Sequence, residues 1–198
     1  MKQALILFCI TCITSVTFAQ VNADKIQVVS DNDSIRFIVD GSVTSVANRD
    51  MANYYFAQGI EAAEAADYKS AESKFRVALL YDLQNPEILY NLGLSQYFQE
   101  NYADALATFD NAAAFDPRNK DIYNQRGLCK AMLGDFEKAE TDFVIMLQYD
   151  PAFPMGNFNY GILLLQKGDF PSACHYLQKA DELGYESAPA VLATYCNN

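Results

Sequence analysis

The sequence has no tryptophan, a single histidine and few positive charges. Its 198 residues contain 14 Lys and Arg against 25 Asp and Glu, giving a formal net charge of −11. A nucleic-acid binder needs a basic surface to displace counterions from phosphates, so the composition argues against that class. No run of 18 or more mostly apolar residues occurs, which argues against a multi-pass membrane protein. The apolar fraction of 51% nevertheless supports a packed core.

The first 19 residues have the layout of a secretory signal peptide. Lys2 precedes an apolar run from Ala4 to Ile13, and Thr17 and Ala19 place small residues before a cleavage site after Ala19. An uncleaved membrane anchor is the alternative, but the run is short for a span and hydroxyl residues follow it. Cleavage would remove Lys2 and change the net charge from −11 to −12. We therefore expect an exported protein of the periplasm or the exterior, and the short signal favours a bacterium.

The cysteines that remain after cleavage are Cys129, Cys174 and Cys196. An odd number in an oxidising compartment allows at most one intramolecular disulfide. We predict Cys174 with Cys196, because a returning C-terminal helix would bring them together.

Four glycines recur at intervals of 34 residues, and several other columns share that period. The columns are Gly59, Gly93, Gly127 and Gly161; Ala71, Ala105, Ala139 and Ala173; and Phe75, Phe109, Phe143 and Leu177. Such self-similarity indicates an array of structural repeats. Within each unit, apolar residues at helical spacing predict two helices. A short polar residue precedes each second helix as a candidate N-cap: Asp67, Asn101, Asp135 and Asp169.

The period of 34, the helix pair and the columns Gly…[Tyr/Phe]-x-x-Ala-x-x-x-Phe-x-x-Ala…Asp-Pro resemble the tetratricopeptide repeat family. The resemblance implies an all-α, right-handed superhelical solenoid over residues 51–198. Its repeats would span about 52–85, 86–119, 120–153 and 154–187, with a C-terminal helix over 188–196.

The flanks of the array follow other patterns. Residues 20–50 read as an extension, with a short hairpin over Lys25–Val29 and Ser34–Val39 and a linker from Ser42 to Asp50. The predicted C-terminal helix is apolar, with Val191, Leu192 and Tyr195. We expect it to leave apolar surface open to a partner or to a second copy in a homodimer.

The resemblance also implies a binding groove lined by the first helix of each repeat. Carried over position by position, the groove residues are Phe56, Ile60, Tyr90, Asn91, Leu94, Tyr97, Phe98, Asn124, Gln125, Leu128, Phe158, Asn159 and Ile162. Their amides can pair with an extended peptide backbone, and their aromatic rings can form apolar pockets. The alternative is that these aromatics only complete the core.

Family members that capture acidic C-termini use a clamp of Lys, Asn and Arg. The corresponding positions here are Phe56, Ile60, Asn91, Asp121 and Gln125, so the cations are missing. We expect no acidic tail to be held.

Chemistry-bearing motifs are sparse. His175 has no metal-ligand pattern around it, and no P-loop, G-x-S-x-G or H-E-x-x-H motif occurs. We expect no enzyme activity, no cofactor and no metal. The function predicted is a protein-protein interaction scaffold of the bacterial cell envelope that binds a peptide segment. The alternatives are a chaperone-like accessory subunit of one fixed envelope complex and a small exported hydrolase.

Overall fold

The computed structural model describes residues 26–30, 34–39 and 42–196, and the chain divides into two units at Asn48. The predicted signal peptide, residues 1–19, lies outside the described residues. The two units are a small β-sheet and a helical array, and each is considered by itself.

The N-terminal unit contains a three-stranded antiparallel sheet in the order β1-β2-β3. Its strands are β1 (Ile26–Ser30), β2 (Ser34–Val39) and β3 (Ser42–Ala47). Ile26 pairs with Val39, and Ser34 pairs with Ala47. The first two strands lie where the sequence suggests a hairpin, but β3 occupies residues predicted as linker. The run Ser-Val-Thr-Ser-Val-Ala is rich in β-branched residues, which favour strands.

The second unit is all-α, which confirms the predicted fold class for this part of the chain. Its helices are α1 (Asn48–Glu64), α2 (Tyr68–Tyr81), α3 (Pro86–Phe98), α4 (Tyr102–Phe115), α5 (Lys120–Met132), α6 (Phe136–Tyr149), α7 (Pro154–Lys167), α8 (Phe170–Glu182) and α9 (Ala188–Tyr195). Among the helices described, none combines the length and the apolar character needed to cross a bilayer. Four of them begin 34 residues apart, at Pro86, Lys120, Pro154 and Ala188.

The turn inside each helix pair is built the same way in all four repeats. One residue of the turn has a positive φ: Ala66, Glu100, Gly134 and Gly168. The next residue is the N-cap of the second helix. The side chains of Asp67, Asp135 and Asp169 accept hydrogen bonds from backbone N–H groups of the first turn, whereas Asn101 makes no such bond. Three of the four predicted caps therefore use their side chains.

The repeated glycines allow the two helices of a pair to touch. A Cβ atom added at Gly93 would lie 2.7 Å from the ring of Phe109, and one at Gly59 would lie 2.4 Å from the ring of Phe75. Both rings are fully buried. The core also crosses repeat boundaries, since Phe109 shares a cluster with Ile122 of the following repeat. Each repeat is therefore completed by its neighbour, as in other solenoids.

A buried carboxylate holds the third repeat together. Asp142 on α6 is 1% exposed and accepts from Arg126 Nη2 at 2.5 Å and Nε at 2.9 Å. Lys130 Nζ lies 2.7 Å from the same carboxylate. Arg126 also reaches Asp110 on α4, at 3.1 Å, so the cluster links the second and third repeats.

The last helix closes the array. Cys174 on α8 and Cys196, the residue after α9, form a disulfide with a Cα–Cα distance of 5.6 Å. This is the pair that the sequence favours. Ala188 is buried, while Tyr195 remains 51% exposed.

Candidate ligand-binding groove

The first helices of successive repeats form one continuous face. Helix α3 contacts α5, and α5 contacts α7. In a stack of helix pairs this row lines the concave side. We call the face formed by α1, α3, α5 and α7 the groove.

Most of the predicted groove residues are half-buried. Eleven of the thirteen have intermediate exposure, Phe98 is 54% exposed and Asn124 is fully buried. Half-burial means that one side of a residue packs on the array while the other remains open to a ligand.

The aromatic groove residues differ in how far they belong to the core. The ring of Phe56 lies 5.6 Å from that of Phe75, and the ring of Tyr90 lies 5.8 Å from that of Phe109. Phe158 packs against Tyr185 at 4.6 Å. Each of these rings therefore packs partly against the interior, as the alternative interpretation predicts.

Tyr90 and Tyr97 are half-buried tyrosines of the groove. Burial raises the pKa of Tyr90, and the negative charge of Asp121 raises it further. Burial is also the main reason why the pKa of Tyr97 is raised. Both tyrosines are therefore neutral hydrogen-bonding groups at physiological pH.

The amides of the groove are partly used by the protein itself. Asn91 Nδ2 donates to the Glu87 carbonyl at 2.9 Å, so Oδ1 is the atom of this amide that can accept from a ligand. Asn159 Nδ2 donates to Asn124 Oδ1 at 2.9 Å and joins α7 to α5. Asn124 itself has no exposed surface, so the prediction that it contacts a ligand does not fit its place. Asn124 instead accepts the hydrogen bond that holds the Asn159 amide.

A cavity of about 290 Å³ opens at the N-terminal end of the groove. Four predicted groove residues line it: Ile60, Asn91, Leu94 and Phe98. The other lining residues are Ala63, Glu64, Tyr68 and Ser95, which were not among the predicted groove residues. Tyr68 belongs to the second helix of its repeat, so first-helix positions could not reveal it. Its ring stacks on Phe98 with centroids 4.8 Å apart.

Three helices line this cavity, and their charges nearly balance. Helices α1, α2 and α3 contain Asp50, Glu61, Glu64, Glu72 and Glu87 against Arg49, Lys69, Lys74 and Arg76. Of the described residues that line the cavity itself, only Glu64 is charged, so a ligand that enters here meets one carboxylate, which attracts a cation.

The positions of the acidic-tail clamp contain no cation. They hold Phe56, Ile60, Asn91, Asp121 and Gln125, and Asp121 adds a negative charge beside Tyr90. Within the described residues, no group of three or more His, Cys, Asp or Glu side chains is arranged to hold a metal ion.

Comparisons with known proteins point to the family that the sequence pattern resembles. The tetratricopeptide repeat model matches residues 56–120 and 90–144. Mouse BBSome complex member BBS4 is 31% identical over 96 residues, which is 48% of this chain and 18% of BBS4. The chain thus spans less than a fifth of the length of that relative.

Solved structures share the fold. YrrB, described as a tetratricopeptide repeat protein with an unusual peptide-binding site, superposes with a TM-score of 0.63 at 24% identity, covering 72% of this chain and 74% of YrrB. The first repeat domain of Spaghetti (RPAP3), bound to an HSP90 peptide, gives a TM-score of 0.59 at 18% identity, covering 61% of this chain and 95% of that domain.

Proposed function

Because the chain is a tetratricopeptide repeat protein, we propose that it is a non-enzymatic scaffold of the bacterial cell envelope that holds an extended segment of a partner protein in its groove. The observation that carries this proposal is the groove itself, in which half-buried aromatics, an available amide oxygen on Asn91 and an open cavity lie along one face. Proteins of this family bind protein or peptide partners through such arrays.

Two similar proteins support a peptide as the ligand. YrrB is described by its peptide-binding site, and the RPAP3 domain was solved with an HSP90 peptide. The peptide on RPAP3, with the sequence SRMEEVD, is acidic. The groove here lacks cations at the clamp positions and carries Glu64 and Asp121. We therefore propose that its ligand has little net negative charge.

The proposed location rests on the N-terminal sequence. Lys2, the apolar run and the Thr17-Phe18-Ala19 order support export with cleavage after Ala19. The intact mass of the protein recovered from the envelope fraction tests this. A retained Met1, or recovery from the cytoplasm, would contradict it.

Affinity purification tests the binding function. The chain from Gln20 to Asn198 serves as bait in the envelope fraction of its own organism, and the captured partner is then titrated. Tyr90→Ala and Tyr97→Ala should each weaken binding by roughly 1–3 kcal/mol if these rings are hot spots. Asn91→Ala should cost about 1 kcal/mol where its amide meets a buried peptide group.

Tyr149→Ala is the matched control, because Tyr149 ends a second helix outside the groove and is 44% exposed. Far-UV circular dichroism must show intact helices in every variant. If the groove substitutions leave affinity unchanged while Tyr149→Ala abolishes it, the groove assignment is wrong. Several weak peptide partners fit a general scaffold. One stoichiometric partner would favour the accessory subunit of a fixed complex.

A further inference from the structure

The cavity at the N-terminal end of the groove combines apolar walls with one charge. Ile60, Ala63 and Leu94 form its aliphatic lining, and the stacked rings of Tyr68 and Phe98 form an aromatic wall. Among the lining side chains in this described part of the chain, Glu64 alone is charged. An apolar cavity with a carboxylate at its edge is suited to a ligand that carries an apolar group next to a cationic group.

The size of the cavity limits what can enter. At about 290 Å³ it lies just below the ~300–1,000 Å³ found for sites that enclose a whole small molecule. One large side chain, such as leucine or phenylalanine, is therefore the natural occupant. The rest of the ligand would continue along the groove, where Asn91 Oδ1 can accept from its backbone.

Glu64 differs from the carboxylates that support the array. Glu72, Glu140 and Asp150 each form a salt bridge with a cation of the chain. Within the described residues Glu64, the last residue of α1, makes no such bridge. Because it is exposed, its charge is offered to whatever binds beside it.

We propose that this cavity selects a bulky apolar side chain that is followed or preceded by Lys or Arg in an extended segment of the partner protein. The inference rests on the proposed function of the groove and specifies the chemistry of its ligand. The apolar side chain fills the space between Phe98 and Ile60, and the neighbouring cation pairs with Glu64. Consecutive side chains of an extended strand point to opposite faces. A long lysine or arginine can nevertheless fold back to the rim, because its flexible stem allows the charged end to reach a carboxylate.

Dipeptide probes test the proposal directly. The ¹⁵N-labelled chain from Gln20 to Asn198 is titrated by NMR with the acetylated amides Phe-Lys, Phe-norleucine and Ser-Lys. We expect Phe-Lys to shift the backbone amides of Ile60, Leu94 and Phe98. It should bind at least threefold more tightly than Phe-norleucine and at least fivefold more tightly than Ser-Lys. Equal binding of all three probes, or shifts confined to other residues, would overturn the proposal.

Matched variants then separate the apolar wall from the charge. Phe98→Ala should weaken Phe-Lys binding at least fivefold, whereas Met132→Ala should leave it unchanged. These residues occupy the same repeat position and are both 54% exposed. Glu64→Gln should remove the preference for Phe-Lys over Phe-norleucine, and Glu182→Gln, which also changes the last residue of a helix, should keep it.

The three probes are compared on the unaltered chain, so this test remains valid even if a variant misfolds. Sedimentation velocity tests whether a second copy of the chain occupies the cavity instead. If Phe98→Ala converts a dimer into a monomer, a second copy fills the cavity and the proposal is wrong.

Failure here is distinguishable from failure of the groove. If Phe98→Ala and Glu64→Gln leave partner affinity unchanged while Tyr90→Ala weakens it, the groove binds its partner without this cavity. If none of these substitutions has an effect, the groove assignment itself fails.

Discussion

Replacing Asp142 by threonine should destabilise the array by about 3 kcal/mol. The carboxylate is 1% exposed and is shared by Arg126 and Lys130, whose side chains are 18% and 14% exposed. Removing it leaves two cations side by side with only the more exposed Asp110 nearby. Breaking a buried ion pair by deleting one partner costs ~3–5 kcal/mol, and we take the lower value because both cations retain some access to water.

The chain contains its own control for this substitution. Thirty-four residues earlier, the positions of Arg126, Lys130 and Asp142 are occupied by Leu92, Gln96 and Thr108. There the Gln96 amide and the Thr108 hydroxyl are hydrogen-bonded at 2.7 Å, and none of the three residues is charged. The triple change Arg126→Leu, Lys130→Gln and Asp142→Thr copies these three neutral residues. Because well-packed neutral groups often replace a buried ion pair without loss, it should recover most of the stability.

Thermal unfolding followed by far-UV circular dichroism measures both effects. For a chain of this size, 1 kcal/mol corresponds to about 2–4 °C, so Asp142→Thr should lower the midpoint by about 6–12 °C. Asp110→Ala should lower it by much less, since an exposed ion pair contributes about 1 kcal/mol or less. A midpoint for Asp142→Thr within about 2 °C of the parent would refute the reasoning, and so would a triple variant no more stable than the single one.

Three further predictions concern packing, pH and the cysteines. Gly93→Ala should cost roughly 1–3 kcal/mol in urea unfolding, because its Cβ would lie 2.7 Å from the buried ring of Phe109; unchanged stability would mean that the ring moves freely. A salt bridge with Lys120 lowers the pKa of Asp150 in the folded chain. The salt bridge therefore stabilises the fold at pH values above the unfolded-state pKa near 3.8, and this stabilisation is lost as the pH falls through the lower folded-state pKa. Asp150→Asn should therefore reduce the dependence of the melting midpoint on pH in the acidic range. Burial raises the pKa of Cys129 to about 12. The folded, oxidised chain from Gln20 onward should therefore not react with thiol reagents near neutral pH, and it should expose one reactive thiol when denatured. A rapid reaction of the folded protein would contradict this.

The sequence by itself determined the helical array. The recurrence of a glycine opposite a large apolar side chain, which is Phe in three repeats and Leu177 in the fourth, encodes the close approach of two helices. Pro86 and Pro154 mark where helices begin. These features are readable because they depend on local spacing and repeat at a fixed period. The first-helix face that forms the groove was implied by the resemblance to the tetratricopeptide repeat family.

Tertiary structure alone decided how single residues are used. Arg126 and Lys130 depart from the repeat pattern, and only the fold shows that both converge on Asp142, sixteen and twelve residues further along. Asn124 has a groove position in the pattern but is buried beneath Asn159. Periodicity specifies the face of a helix, whereas burial depends on the distance to side chains of the next repeat.

The cavity shows the same limit most clearly. Its walls come from three helices, with Ile60 and Glu64 from α1, Tyr68 from α2 and Phe98 from α3. Each of these side chains has an ordinary place in its own helix, and no spacing within one helix predicts an open space. The cavity exists because the side chains of three packed helices leave a gap between them, and that is a property of interhelical distances rather than of sequence order.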